Sequence, residues 1–187
     1  MELKVENLKW QKANKERIQN INEYVLNYVK NIDKGAKVIV GCDSENHSRK
    51  THYAITVVFY NEVKKDGAHA VAALIRVPKI KDVVNKLWNE AVLVHSIAES
   101  LDKTLRDGKY FYKFDKNYYD GSQPTRLVEI HVDLNSTRNT RNGSKISDNK
   151  SNKIYTDVMG WLCGENYKVM GKPYAPVASS ASDRLCR

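Results

Sequence analysis

The chain has 187 residues, 41% hydrophobic and 28% charged, which is typical of one globular domain rather than a disordered chain. Its 31 lysines and arginines outnumber the 22 aspartates and glutamates, so the formal net charge is +9 and a polyanionic partner such as nucleic acid is favoured. Three widely spaced cysteines and the lack of an eighteen-residue apolar run argue against a disulfide framework, a cysteine-rich zinc site and a membrane span. We therefore expect a cytoplasmic protein without a secretory signal.

The first part of the chain predicts a helical arm. Apolar residues recur at helical spacing between Leu8 and Val29, and Gly35 is suited to follow the end of such a helix. We therefore predict an N-terminal helical arm over residues 1–34 and one domain over residues 35–187. An apolar stripe on a separate arm would also offer a surface through which the chain forms a homo-oligomer.

Beyond the arm, the pattern predicts three strands and then helices and strands in alternation. Short apolar runs rich in β-branched residues indicate the strands, and spacings of three and four indicate the helices. The predicted strands cover residues 36–45, 51–63, 66–79, 127–135 and 167–173. The predicted helices cover residues 80–105, 153–165 and 179–187. This order predicts an α/β fold with a mixed five-stranded sheet flanked by helices, in which the first and fourth of these strands are neighbours.

Four carboxylates stand where the pattern predicts burial or strand ends. Asp43 follows an apolar strand, and Glu90 lies on the apolar face of its predicted helix. Asp133 shares one face of its strand with Glu129 and His131, and Asp183 lies in the last predicted helix. A buried carboxylate needs a cation, a hydrogen-bond donor or a metal, so a buried salt bridge is the alternative for Glu90. Converging carboxylates are ligands for Mg²⁺ or Mn²⁺, and a pair of such ions can promote phosphodiester hydrolysis.

The stretches VIVGCDSENH, IHVDLN, SNKIYTDVMGWLCGENYKV and KPYAPVASSASDR resemble the YkuK-type family within the ribonuclease H-like superfamily of nucleases. The resemblance covers roughly residues 36–187. It implies an RNase H-like fold and metal-binding, catalytic roles for Asp43, Asp133 and Asp183, with Glu90 as the matching helix carboxylate. It also implies cleavage by a metal-activated water that leaves a 3′-hydroxyl and a 5′-phosphate.

Basic residues near aromatic residues or in polar loops are candidates for contacting the nucleic-acid backbone. Lysines alternate with tyrosines and phenylalanines over residues 109–119, and residues 136–150 form a basic segment poor in apolar residues. The predicted substrate-binding residues are Lys109, Lys113, Arg138, Arg141, Lys145, Lys153 and Lys172. The alternative for the first segment is a hairpin whose aromatic residues pack on the body of the protein.

Two classes of function therefore stay open. The first is a metal-dependent nuclease acting on RNA, a hybrid duplex or branched DNA. The second is a module on a degenerate nuclease fold that binds nucleic acid or another partner without catalysis. The distance between the four carboxylates discriminates between them, because a fold by itself does not determine function.

Overall fold

The structure is a computed structural model that describes residues 8–32, 34–61, 63–64, 67–114, 126–135 and 150–182. The strands are β1 (Trp10–Lys12), β2 (Arg17–Ile18), β3 (Ala36–His47), β4 (Lys50–Asn61), β5 (Ala68–Pro78), β6 (Val128–Asn135) and β7 (Lys168–Lys172). The α-helices are α1 (Ile21–Asn31), α2 (Val83–Asp107) and α3 (Lys150–Gly164). A short 3-10 helix spans Tyr110–Lys113, and a π-helical segment spans Val177–Ser182.

Over the described residues the strands form one mixed sheet of seven strands, in the order β2-β1-β5-β4-β3-β6-β7. The first five strands in this order, from β2 to β3, each pair antiparallel with the next. The last two pairs, β3 with β6 and β6 with β7, are parallel. The prediction that the strands carrying Asp43 and Asp133 are neighbours is confirmed, because β3 and β6 lie side by side. The five predicted strands are all present, but the prediction of a five-stranded sheet was wrong, because β1 and β2 extend the sheet beyond β5.

The two faces of the sheet are covered differently. Alternate residues of β3, such as Val38 and Val40, pack with the three α-helices in the main hydrophobic core. On the opposite face, Ile39 and Val58 pack against Val177 of the π-helical segment. Because strand side chains alternate between faces, Asp43 shares the second face with Ile39, and Ser44 shares the helical face with Val40.

The N-terminal part differs from the prediction. Residues 10–18, which were predicted as helix, form the β1–β2 hairpin, and Trp10 of β1 pairs with Ala73 of β5. The Trp10 side chain is fully buried in the main core, so this tertiary contact outweighs the helical pattern of its polar neighbours. The helix begins only at Ile21, where the Asn20 side chain accepts hydrogen bonds from the amides of Asn22 and Glu23.

The apolar stripe of α1 faces the chain's own core. Ile21, Val25 and Val29 are all buried there, so they do not supply an exposed surface for an oligomer. The homo-oligomer, like the division of the chain at residue 35, stays a prediction. Within the described residues, we find no helix with the length and hydrophobicity needed to cross a membrane.

Candidate functional site

Two of the predicted carboxylates lie where the pairing of two adjacent strands stops. The last residue pair between β3 and β6 is Cys42 with Val132, and Asp43 and Asp133 follow these residues directly. The two strands run parallel, so both aspartates lie at the same level and on the same face of the sheet. Neighbouring strands are about 4.8 Å apart, which places the two carboxylates side by side. Asp43 accepts a hydrogen bond of 2.8 Å from the Ser44 amide through Oδ1.

Glu90 approaches the two aspartates from α2. It lies in the first third of the helix, and only 5% of its surface is exposed. The Ser44 hydroxyl donates a hydrogen bond to Glu90 Oε1, which links the helix to β3. Glu90 also lines a narrow crevice together with Cys42 and Asp133. The buried position predicted for this carboxylate is thus confirmed, and its partner is a hydroxyl rather than the salt bridge considered as the alternative.

The surroundings of Glu90 disfavour its charged form. Burial is the largest effect and raises its pKa well above the ordinary value, and the negative charges of Asp43 and Asp133 raise it further. The hydrogen bond from Ser44 and the positive charge of Lys86 act in the opposite direction but do not cancel these effects. Glu90 is therefore close enough to both aspartates to be repelled by them, and a cation among these side chains would relieve that repulsion.

Two lysines partly neutralise this cluster. The Lys86 ammonium, one helical turn before Glu90, donates a 2.9 Å hydrogen bond to the Ser44 carbonyl oxygen. The Lys172 ammonium, at the end of β7, lies 2.7 Å from Asp133 Oδ1. The angles of this second contact do not make a hydrogen bond, so it is an ion pair held mainly by charge. Lys172 thus lies beside Asp133, and its contact with substrate phosphate stays a prediction.

The other predicted residues lie elsewhere or outside the described part. Lys109 and Lys113 follow the far end of α2, which lies about 25 Å along the helix from Glu90. The Lys113 ammonium donates a 2.8 Å hydrogen bond to the Ile32 carbonyl oxygen, just past the end of α1. Lys153 lies near the start of α3. Four predicted site residues lie outside the described residues: Arg138, Arg141, Lys145 and Asp183.

A complete metal site is not assembled by the described residues. Within the ranges that the structure covers, no group of three His, Cys, Asp or Glu side chains is close enough to hold a metal ion. Asp43 and Asp133 form a pair of hard oxygen ligands that suits Mg²⁺ or Mn²⁺, while Glu90 accepts a hydrogen bond from Ser44. The donor set thus fits a divalent cation in chemistry, with Asp183 as the fourth predicted ligand.

Sequence reasoning missed Ser44 and Lys86. A serine in a strand and a lysine near the start of a helix interrupt no hydrophobic pattern, so the sequence pattern does not distinguish either residue from its neighbours. The signal for Lys86 was its position four residues before Glu90, since such pairs are neighbours on a helix. For Ser44, the signal was its alternation with Asp43, which directs it to the helical face.

Comparison with known proteins identifies one relationship. The family model described as Ribonuclease H-like matches residues 17–187. No curated protein and no solved structure gives a significant match to the chain. The match begins at β2 and includes α1 as well as the strands and helices that carry the acidic site.

Proposed function

The chain belongs to the ribonuclease H-like family, and from this premise we propose that it is a metal-dependent nuclease that hydrolyses phosphodiester bonds in nucleic acid. The observation that carries the proposal is the placement of Asp43 and Asp133 directly after the last pairing of β3 with β6, with Glu90 buried beside them. Carboxylates placed near one another disfavour each other's charged forms, and groups perturbed in this way are typical of functional sites.

The carboxylates have distinct roles in this proposal. Asp43 and Asp133 would hold Mg²⁺ or Mn²⁺, Glu90 would join them in its ionised form, and Asp183 is the fourth ligand that the sequence resemblance implies. A divalent cation bound there would polarise the phosphate and increase the acidity of a water molecule that attacks it. Ser44 orients the Glu90 carboxyl, and Lys86 binds β3 through the Ser44 carbonyl.

Lys172 has a role in substrate binding. Its ammonium lies against Asp133, and a cation bound to this aspartate would weaken their attraction. The lysine would then be available to a phosphate oxygen of the substrate, for which an ammonium is a suitable partner. The net charge of +9 supports the same class of substrate, because phosphate contacts release counterions. Lys109, Lys113, Lys153 and the basic residues of segment 136–149 are proposed to contact the backbone of longer substrates.

A second function is favoured by two observations. The described residues do not bring three ligands within reach of one metal, and Lys172 neutralises Asp133 without any metal. The alternative is therefore a module that binds nucleic acid or another partner through this fold without cutting it.

Cleavage of a labelled substrate panel distinguishes these functions. The panel contains an RNA–DNA hybrid, double-stranded RNA, single strands and a four-way DNA junction, each incubated with Mg²⁺, Mn²⁺ or EDTA. We expect metal-dependent cutting of at least one substrate, and a loss of about 100-fold or more in Asp43→Asn, because the variant lacks a ligand to the metal. Asp157→Asn, which changes an exposed carboxylate on α3, is the matched control and keeps wild-type activity. Binding without cutting, unchanged in Asp43→Asn, would instead establish the non-catalytic module.

A further inference from the structure

A cavity of about 580 Å³ lies on the second face of the sheet, away from the α-helices. Its floor is formed by residues that lie next to one another across β3, β4 and β5: Lys37, Ile39, Val58, Tyr60, Ala68 and Ala70. Tyr174, Pro176 and Val177 line the cavity from the segment after β7. This volume lies within the range of about 300–1,000 Å³ that is usual for sites of small ligands.

The charges in the lining of the cavity cancel. The Lys37 ammonium lies 3.6 Å from Glu129 Oε2, so one positive and one negative side chain of the lining face each other. His131, at the same end, accepts a 3.4 Å hydrogen bond from the Val177 amide through Nδ1, which requires the neutral form of the ring. A phosphate would lose its hydration in such a cavity without meeting a net positive charge, whereas a flat, uncharged group fits it.

Tyr174 is an exposed aromatic residue in the lining of this cavity. About 74% of its surface is exposed. Its amide donates a 2.8 Å hydrogen bond to the Gly171 carbonyl oxygen, so the chain turns directly after β7 and keeps the tyrosine beside the sheet. An exposed aromatic ring next to an apolar floor offers a surface on which another flat ring can stack.

The cavity lies next to the acidic cluster, which consists of Asp43, Glu90 and Asp133. His131 lines both the cavity and the narrow crevice that Glu90 and Asp133 share. It comes two residues before Asp133 on β6, which corresponds to about 7 Å along the strand. A chain-like substrate with one phosphate at the acidic cluster therefore extends past the cavity.

The chain after β7 makes a second connection between these two places. The Lys172 ammonium lies 2.7 Å from Asp133 Oδ1, and Tyr174 follows Lys172 by two residues. The lysine proposed to contact a substrate phosphate and the tyrosine of the cavity thus belong to one short segment. Such an arrangement suits a ligand that carries a phosphate and a flat ring a short distance apart.

We propose that the cavity receives one unpaired base of a single-stranded nucleic acid, with Tyr174 stacked on that base. The inference rests on the proposed function, since it takes nucleic acid as the substrate, and it narrows that substrate to strands with unpaired bases. A nucleobase is flat and uncharged, so it matches the lining, while the phosphates stay outside near Lys172. A base in a duplex would first have to leave its stack and its pairing partner.

Binding of end-labelled single strands, measured by fluorescence anisotropy in EDTA, tests the proposal without any cleavage. An intact strand and an abasic strand of the same length carry the same phosphates, and each is prepared as DNA and as RNA. We expect the wild-type protein to bind the intact strand at least tenfold more tightly than the abasic strand in DNA or RNA. Tyr174→Ala should weaken binding of that intact strand about tenfold, the usual size of one lost stacking contact, and leave the abasic strand unchanged. Tyr174→Phe, which keeps the ring, should bind as the wild type does.

Filling the cavity gives an independent test. Ala70→Trp should also weaken binding of the intact strand at least tenfold, because its side chain occupies the place of the base. Val92→Trp, at an exposed position of α2, is the matched control and should bind both strands as the wild type does. Thermal melts establish that the variants are folded, and Ala68→Trp, at the exposed edge of the cavity, replaces Ala70→Trp if that variant does not fold.

Equal affinity for the intact and abasic strands, or no binding of either, overturns the inference. So does an affinity for the intact strand that stays unchanged in Tyr174→Ala or in the filled-cavity variant. The cleavage panel is a separate readout: a protein that cuts nucleic acid but shows no preference for the intact strand refutes this inference alone. Binding that depends on Tyr174 without any cutting supports the inference and refutes the proposed nuclease.

Discussion

Ionisation of Glu90 lowers the stability of the folded protein. Burial, together with the negative charges of Asp43 and Asp133, disfavours an ionised carboxyl at this position. The Ser44 hydrogen bond requires only an acceptor oxygen, which an uncharged amide would also provide. A residue that destabilises the fold where a neutral isostere would not is typical of a functional site.

Glu90→Gln should therefore stabilise the metal-free protein. We expect the free energy of unfolding at pH 8 in EDTA to rise by roughly 1–3 kcal/mol, because Gln keeps the hydrogen bond with Ser44 and removes a buried charge. Since the folded-state pKa of Glu90 is raised, its favourable contribution exists below the unfolded pKa and is lost as the pH rises through the folded value. The advantage of the variant should thus shrink on acidification and vanish near pH 4.

Denaturant unfolding of both proteins between pH 4 and pH 8 measures this difference. Glu165→Gln, at an exposed position after α3, is the control and should show no comparable pH-dependent gain. A variant less stable than the wild type at pH 8 would show that the Glu90 charge supports the fold.

The carboxylates were recognisable from sequence to different degrees. Glu90 interrupts the apolar face of a helix, and Asp133 alternates with apolar residues in a strand, so each stands out from its own local pattern. Asp43 is recognisable because it ends a buried run. The ion pair between Asp133 and Lys172 was not predictable, because it depends on how β6 and β7 pair across a break in their register.

At the scale of elements, β3 organises the molecule. It pairs with β4 on one side and β6 on the other, carries Asp43 just beyond its pairing with β6 and supports the π-helical segment at Gly41. A Cβ atom on Gly41 would lie 2.7 Å from the Ala178 backbone nitrogen and 2.9 Å from a methyl carbon of Val177. Glycine at this position thus permits the close approach of the segment that leads in sequence to Asp183.

Gly41→Ala should displace the π-helical segment from the sheet. We expect a loss of about 1–3 kcal/mol in the free energy of unfolding, since backbone atoms must shift to admit the methyl group. We also expect cleavage to fall at least tenfold at a temperature where the variant is folded, measured on the best substrate of the panel.

Gly160→Ala is the matched control. No heavy atom lies within 4 Å of the added methyl in this helical position, and the helix gains up to about 1 kcal/mol from alanine. A Gly41→Ala variant as stable and as active as the control would show that the segment does not need its close contact with β3.

The predictable elements were those with a strong local pattern. The long α2 helix begins after its Asp82 cap, three residues later than predicted, and strands β3 to β7 were all anticipated. The β1–β2 hairpin was not, because its short polar strands have no alternation of their own and exist through pairing with β5. The π-helical segment was expected only as a short helix, since its shape follows from packing on Gly41 and Val58.

At the scale of the whole molecule, the two faces of the sheet contribute different parts of the acidic cluster. Asp43 and Asp133 lie on the second face, just beyond the last pairing of β3 with β6. Helix α2 covers the first face and contributes Glu90 and Lys86, whereas the π-helical segment packs on the second face. Carboxylates concentrated in one place on a chain of net charge +9 support the proposal of a cation-dependent enzyme that acts on a polyanion.

The most direct measurement of this account is anomalous diffraction from crystals of the full chain soaked in Mn²⁺. We predict a manganese peak within bonding distance of both Asp43 and Asp133, with Lys172 displaced from Asp133, and no such peak in Asp43→Asn. Manganese bound elsewhere, or a wild-type crystal that keeps the ion pair between Lys172 and Asp133 at saturating Mn²⁺, would contradict the assignment of this acidic cluster as the metal site.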